Sequence, residues 1–199
     1  MAASTHDRIL TQAAQLLSAQ GYAATGMQQI VAASQAPFGS IYHHFPGGKI
    51  EIAAAAIRTA GAAYVVVLPA AFDGHRDLES GVRAFFGMAA EHLEESGYAD
   101  GCPIATVALE VASTNELLRQ ATADVFDGWL AYGTAYFRGW GVNQNLGRSL
   151  TLALVTALEG AFVLARATGR TESLRLAADL VSGWLRENDP AMVAVERSI

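Results

Sequence analysis

Residues 34–49 read SQAPFGSIYHHFPGGK, Ser34 to Lys49, in a chain otherwise rich in alanine and leucine. Pro37 suits the first position of a helix, where its missing N–H has no intrahelical partner to lose. That helix ends by Phe45, before the turn residues Pro46-Gly47-Gly48. Ahead of it Thr25 opens another short helix. Gln28 stands three residues on, the Thr-x-x-Gln form of a capping box, and Met27, Ile30 and Val31 supply an inward face. The Ser34–Pro37 turn stops this helix. The stretch therefore predicts a short aromatic helix presented between two sharp turns.

Working outward, periodicity near 3.6 recurs along the whole chain and strand signals are nearly absent. A first helix starts after Ser4 or Thr5, buries Ile9, Ala13, Leu16 and Leu17, and ends at Gly21. A fourth runs from Lys49 through an alanine-rich segment until Pro69 halts it. Longer helices follow over roughly 77–96, 103–112, 115–139, 145–168 and 171–187. Thr114 and Thr171 are their expected N-caps, and Asn188 to Pro190 closes the last one. The expected fold class is all-α with about nine helices. Residues 1–48 form a three-helix helix-turn-helix domain, and residues 49–199 form a helical ligand-binding and dimerisation domain, with the fourth helix as a rigid connection. No internal repeat or low-complexity linker interrupts the chain.

The 199 residues are 52% apolar and 16% charged, enough for a core and unlike a disordered chain. The greasiest stretch, Thr59 to Phe72, is short for a membrane span and holds Pro69, and the first residues lack an apolar signal core. A cytoplasmic protein without membrane association is expected. The lone Cys102 excludes an intrachain disulfide and a cysteine-rich zinc site. The net charge of −6 argues against nucleic acid, yet it is unevenly spread. Residues 1–60 carry three basic groups against two acidic ones, and the rest carries ten against seventeen. Any contact with DNA falls to the first part.

Two short helices joined by a tight turn and backed by a longer one form a helix-turn-helix, whose second helix lies in the major groove. Gly39 and Ser40 let that helix come close, Tyr42 and His43 face outward, and Ile41 and Phe45 anchor it inward. Lys49 brings its charge and the N–H groups heading its helix to a phosphate.

The segment TGMQQIVAASQAPFGSIYHHFPGGK resembles the DNA-binding segment of tetracycline-repressor (TetR) family regulators. Thr25, Ile30, Gly39, Ser40, Ile41, Tyr42, His44, Phe45 and Lys49 fall on the family pattern. FPGGK together with GCPIA at Gly101 to Ala105 is similar to the LmrA/YxaF branch. The resemblance implies phosphate contacts from Thr25, Tyr42 and Lys49, and groove contacts from Phe38, Gly39, Ser40 and His43. Gln28 is counted with these DNA-facing residues. Three positions depart from the pattern: Gln35 stands where the family has a turn glycine, Pro37 where it has a capping serine, and Phe38 where it often has lysine or arginine.

Other readings carry less. Adjacent histidines 43 and 44 point about 100° apart on a helix, so they do not pair on a metal as an i, i+4 pair does. The Gly-Gly-Lys lacks the rest of a phosphate loop. No cofactor, metal or catalytic residue is expected. The alternative is an all-helical small-molecule-binding protein or an enzyme built on Cys102 or on Glu91, His92 and Glu95, without DNA binding.

Residues 125–137 are apolar nearly all round, and aromatic residues with polar tips beside glycines suit a cavity. The candidate ligand set is Phe86, His92, Cys102, Phe126, Trp129, Tyr132, Gly133 and Tyr136. A homodimer contact is expected from the doubly apolar last helices through Leu150, Leu154, Leu158, Phe162, Leu174, Val181 and Leu185. The chain reads as a homodimeric regulator of a double-stranded, palindromic DNA operator, a repressor released by a small apolar or aromatic effector.

Overall fold

The computed structural model describes residues 4–188. Among them are ten α-helices and no strand: α1 (Thr5–Ala24), α2 (Met27–Ser34), α3 (Phe38–His44), α4 (Lys49–Ala63), α5 (Val67–Phe72), α6 (Leu78–Glu95), α7 (Pro103–Val111), α8 (Glu116–Gly139), α9 (Gln144–Thr168) and α10 (Glu172–Asn188). Asp189 and Pro190, expected to close the last helix, lie outside the described residues.

The additional helix arises where one was expected to run on to Pro69. The fourth helix stops at Ala63, a 3-10 turn covers Tyr64–Val66, and α5 begins with Pro69 inside its first turn. A proline within a continuous α4 would remove the bond to the Val65 carbonyl and clash with it. Three consecutive valines weaken the helix further. Restarting the helix places Pro69 where no N–H is required.

Helix ends follow local side-chain chemistry. Ser4 caps α1, accepting from Asp7 N at 3.1 Å. Asp77 caps α6, accepting from Ser80 N at 2.7 Å, and Asn143 caps α9 through Leu146 N at 3.0 Å. Asn115 caps α8, with Oδ1 accepting from Leu118 N at 3.1 Å, in place of the expected Thr114. The Thr114 hydroxyl instead donates to the Glu110 carbonyl at 3.4 Å. Thr171 precedes α10, and its hydroxyl donates to Glu94 at 3.0 Å.

Two compact units result. The first comprises residues up to Tyr64 together with Gly101–Asp127, and the second Val65–Asp100 with the chain from Gly128 onward. In the first, α1 packs on α2, α4 and α7 over Ile9, Ala13, Leu17, Ile52, Ile57, Ile104 and Val107. In the second, α10 packs on α6 and α9 around Phe72, Phe86, Leu93, Phe137, Leu154 and Leu185. Each of these Ile, Leu, Val and Phe side chains contributes about 1.5–3 kcal/mol by leaving water. Residues 101–127 thus fold onto the helix-turn-helix, and packing divides the chain differently from the functional division expected at residue 48.

The expected dimer residues require correction. Leu150, Leu154, Leu174, Val181 and Leu185 are buried in the second unit's own core, while Leu158 and Phe162 lie half-buried against it. Both helices are apolar on two faces, and the face chosen from sequence is the inner one. The outer faces expose Leu152 and Val163 on α9 and Leu176 and Leu180 on α10.

By length and mean hydropathy two segments, Lys49–Phe72 and Gln144–Thr168, would suffice to cross a membrane, although charged residues such as Arg58 and Glu159 interrupt them. Both put an apolar stripe into a folded core, Ile52, Ala56 and Ile57 from the first and Leu150, Leu154 and Ala161 from the second.

Candidate nucleic-acid interface

The base of the interface is the buried set Ile9, Ile30, Ile41 and Phe45. The spacing of Ile41 and Phe45 fixes one side of α3 inward. Their burial turns Phe38, Gly39, Tyr42 and His43 outward, with Ser40 half-buried at the edge. Phe38 is 54% exposed and Tyr42 46%. The two rings lie one turn apart with centroids 5.5 Å from each other, tilted by 55°. His6 stacks on the far side, its ring 5.1 Å from that of Phe45.

The turn between α2 and α3 is made without glycine. Gln35 takes the left-handed conformation, φ 51° and ψ 33°, and Pro37 serves as the residue before α3 instead of its first residue. Pro37 still fits, because its φ of −57° suits a chain entering a helix and its carbonyl accepts from Ser40 N at 2.9 Å. Arg8 Nε donates to the Ser34 carbonyl at 3.3 Å, satisfying the end of α2 with a cation.

Thr25 does not sit where the sequence put it. The cap of α2 is Gly26, whose N–H donates to the Gln29 side chain at 2.7 Å, so the capping pair is shifted by one residue from Thr25 and Gln28. Thr25 is 1% exposed, and its hydroxyl donates to the Gly21 carbonyl at 2.6 Å. It locks the α1–α2 corner and offers no free hydroxyl to a phosphate. Gln28 is exposed on α2.

Lys49 opens α4 after Gly48, which has φ 66°. The Glu51 carboxylate accepts from Gly47 N at 2.6 Å and closes the Pro-Gly-Gly turn. The Lys49 ammonium stands 4.1 Å from the centre of the Tyr22 ring, a cation–π contact. Burial pushes the Tyr22 phenol above its usual range, so the ring beneath the ammonium stays neutral.

Tyr22 and Glu110 were not expected to matter. Glu110 Oε2 accepts from both Tyr22 N and Ala23 N at 2.9 Å. On the same α1–α7 seam, the Ser18 hydroxyl donates to the Gly101 carbonyl at 2.6 Å. The partners are more than eighty residues apart, and the one signal in the sequence is Gly21 followed by an aromatic residue.

The candidate ligand residues fall in both units. Cys102 and Phe126 belong to the first unit, the other six to the second. The Cys102 sulfur heads α7, accepting from Ala105 N at 3.5 Å. Phe86 is core, whereas His92 is exposed on the same helix. Gly133 leaves no cavity beside it, because a Cβ there would lie 2.4 Å from the Thr151 side chain, so the glycine serves close packing of α8 on α9. Trp129, Tyr132 and Tyr136 are half-buried, and the Tyr136 hydroxyl donates to Asp73 at 2.6 Å. Glu91, His92 and Glu95 are exposed, and among the described residues no group of three or more His, Cys, Asp or Glu side chains could hold a metal ion.

Two family models match successive parts of the chain. The family model for bacterial regulatory proteins, tetR family, matches residues 9–62, and that for the transcriptional regulator LmrA/YxaF-like C-terminal domain matches residues 79–180. The HTH-type transcriptional regulator YxaF of Bacillus subtilis is 29% identical over 183 residues, covering 92% of this chain and 96% of that protein. A Mycobacterium tuberculosis HTH-type transcriptional regulator is 30% identical over 165 residues, covering 80% of this chain and 83% of its own. The crystal structure of regulatory protein TetR from Rhodobacter sphaeroides shares the fold with a TM-score of 0.77 at 24% identity, over 90% of this chain and 97% of that one.

Proposed function

The chain belongs to the TetR family of bacterial transcriptional regulators with an LmrA/YxaF-like C-terminal domain, and from that premise we propose that it is a dimeric repressor released from a near-palindromic operator by a small apolar or aromatic molecule. One observation supports DNA reading above the rest. A seven-residue helix with a buried underside presents Phe38, Gly39, Tyr42 and His43 to solvent, and Lys49 follows directly. Tyr42 and Lys49 hold the phosphates, while Phe38, Gly39, Ser40 and His43 face the groove. Thr25 supports the corner from inside.

The outer faces of α9 and α10, with Leu152, Val163, Leu176 and Leu180, pair with those of a second copy in a four-helix contact. Two reading helices then meet successive major grooves about 34–36 Å apart. The effector binds within the second unit beside Trp129, Tyr132 and Tyr136. A ligand favouring the wrong separation of the reading helices lowers DNA affinity by its differential affinity for the two states, commonly about 1–3 kcal/mol.

Selection of bound sequences from random duplex DNA by the purified protein tests the reading. Enrichment of an inverted repeat is expected. Enrichment of no duplex would overturn it.

A further inference from the structure

Resting on the DNA-reading assignment above, we propose that Phe38 reads the 5-methyl group of a thymine in each operator half-site. Phe38 is the first residue of α3, and the leading residues of a reading helix are those that meet base edges. Its side chain has neither donor nor acceptor. Laid against the polar edge of guanine, adenine or cytosine, it would strip water from hydrogen-bonding groups and return no partner. The thymine methyl is the apolar group that the major groove displays. A benzyl side chain at this position therefore distinguishes thymine by what it cannot satisfy elsewhere.

Local geometry favours such contact. Phe38 is 54% exposed, so the protein leaves more than half of it to be covered. The Tyr42 ring, 5.5 Å away one turn along, limits the orientations open to Phe38 before DNA arrives. Gly39 follows, and a Cβ built on it would meet nothing within 4 Å, so the backbone beside the ring is bare and can approach closely. Charge is sparse nearby: Arg8 is turned onto the Ser34 carbonyl and Lys49 lies over Tyr22. Base discrimination here falls to shape and apolar contact.

The experiment resynthesises the enriched duplex with deoxyuridine replacing each thymine in turn, removing one methyl at a time and keeping every hydrogen bond. At one thymine in each half-site, wild-type affinity should fall about fourfold per methyl, the value of one buried carbon. Phe38→Ala should bind the thymine and deoxyuridine forms alike, and Phe38→Leu should keep most of the difference. Wild-type protein indifferent to every lost methyl would overturn the proposal, as would Phe38→Ala suffering the same loss as wild type. Either result would leave the regulator reading standing, because the duplex is still bound. Failure to enrich any duplex would overturn both.

Discussion

Glu110 occupies the space that a side chain on Gly21 would need: a Cβ on Gly21, whose φ is 78°, would lie 1.8 Å from Glu110 Oε1. The glycine kinks α1 through a positive φ, and that kink aims two successive N–H groups at one carboxylate. Gly21→Ala must adopt an unfavourable φ and also expel the carboxylate. A loss of about 2–3 kcal/mol is expected from the two effects together. Urea unfolding measures it, and an unchanged midpoint would show that the latch contributes nothing.

Because the same turn carries Tyr22 beneath Lys49, the second prediction concerns binding. Tyr22→Leu should weaken DNA affinity about two- to fivefold, the range of an exposed cation–π contact. In a Lys49→Ala background the same change should have no further effect. Lys49→Ala alone should reduce the slope of log affinity against log salt by about 1. Additive losses in the double variant would show that Tyr22 acts on the fold and not through Lys49.

Gln35 offers a stabilising change. A non-glycine residue in the left-handed region costs roughly 1–2 kcal/mol, part of which glycine gives back through its freer unfolded chain. Gln35→Gly should raise stability by about 0.5–1 kcal/mol, which is about 1–4 °C in midpoint for a chain of this size. A lower midpoint would mean that the exposed Gln35 side chain makes a stabilising contact.

Assembly separates the two faces of the last helices. Leu180 is 63% exposed, so Leu180→Glu should leave a folded protomer that light scattering reports as a monomer. Leu154 is 1% exposed, and Leu154→Glu should unfold the second unit by burying an unpaired charge. A Leu180→Glu protein that stays dimeric would place the interface elsewhere.

Acid stability follows from Glu79, which accepts from Arg186 at 2.6 Å and Arg83 at 3.1 Å. Hydrogen bonds from these guanidinium groups, Arg186 foremost, hold its carboxyl below the ordinary carboxylate range. A depressed folded-state value means that the stabilisation is present above the unfolded value and is lost as pH falls through the folded one. Glu79→Gln should therefore lower the melting temperature at neutral pH and flatten its decline on the acid side of the carboxylate range. Parallel melting curves against pH for the two proteins would contradict this.

Much of the protein is determined locally. The α3 segment is bounded by Pro37 and by Pro46-Gly47-Gly48, and residues three and four apart decide which of its side chains face outward, so the reading helix and its outward residues were legible in the sequence. The kink of α1 at Gly21, where the sequence reading ended the helix, and the start of α7 at Pro103 follow for the same reason. Three kinds of feature were left to the tertiary structure. Thr25 and Gly26 compete for one capping position, and the choice depends on whether the Thr25 hydroxyl is taken by Gly21. The last two helices are apolar on two faces, and periodicity cannot rank them; packing against α6 makes Leu174, Val181 and Leu185 inner and leaves Leu176 and Leu180 outside. Glu110 reaches Tyr22 across 88 residues of chain, and a hydrogen bond between groups that far apart has no local signature, because only the folded path of the backbone brings them together.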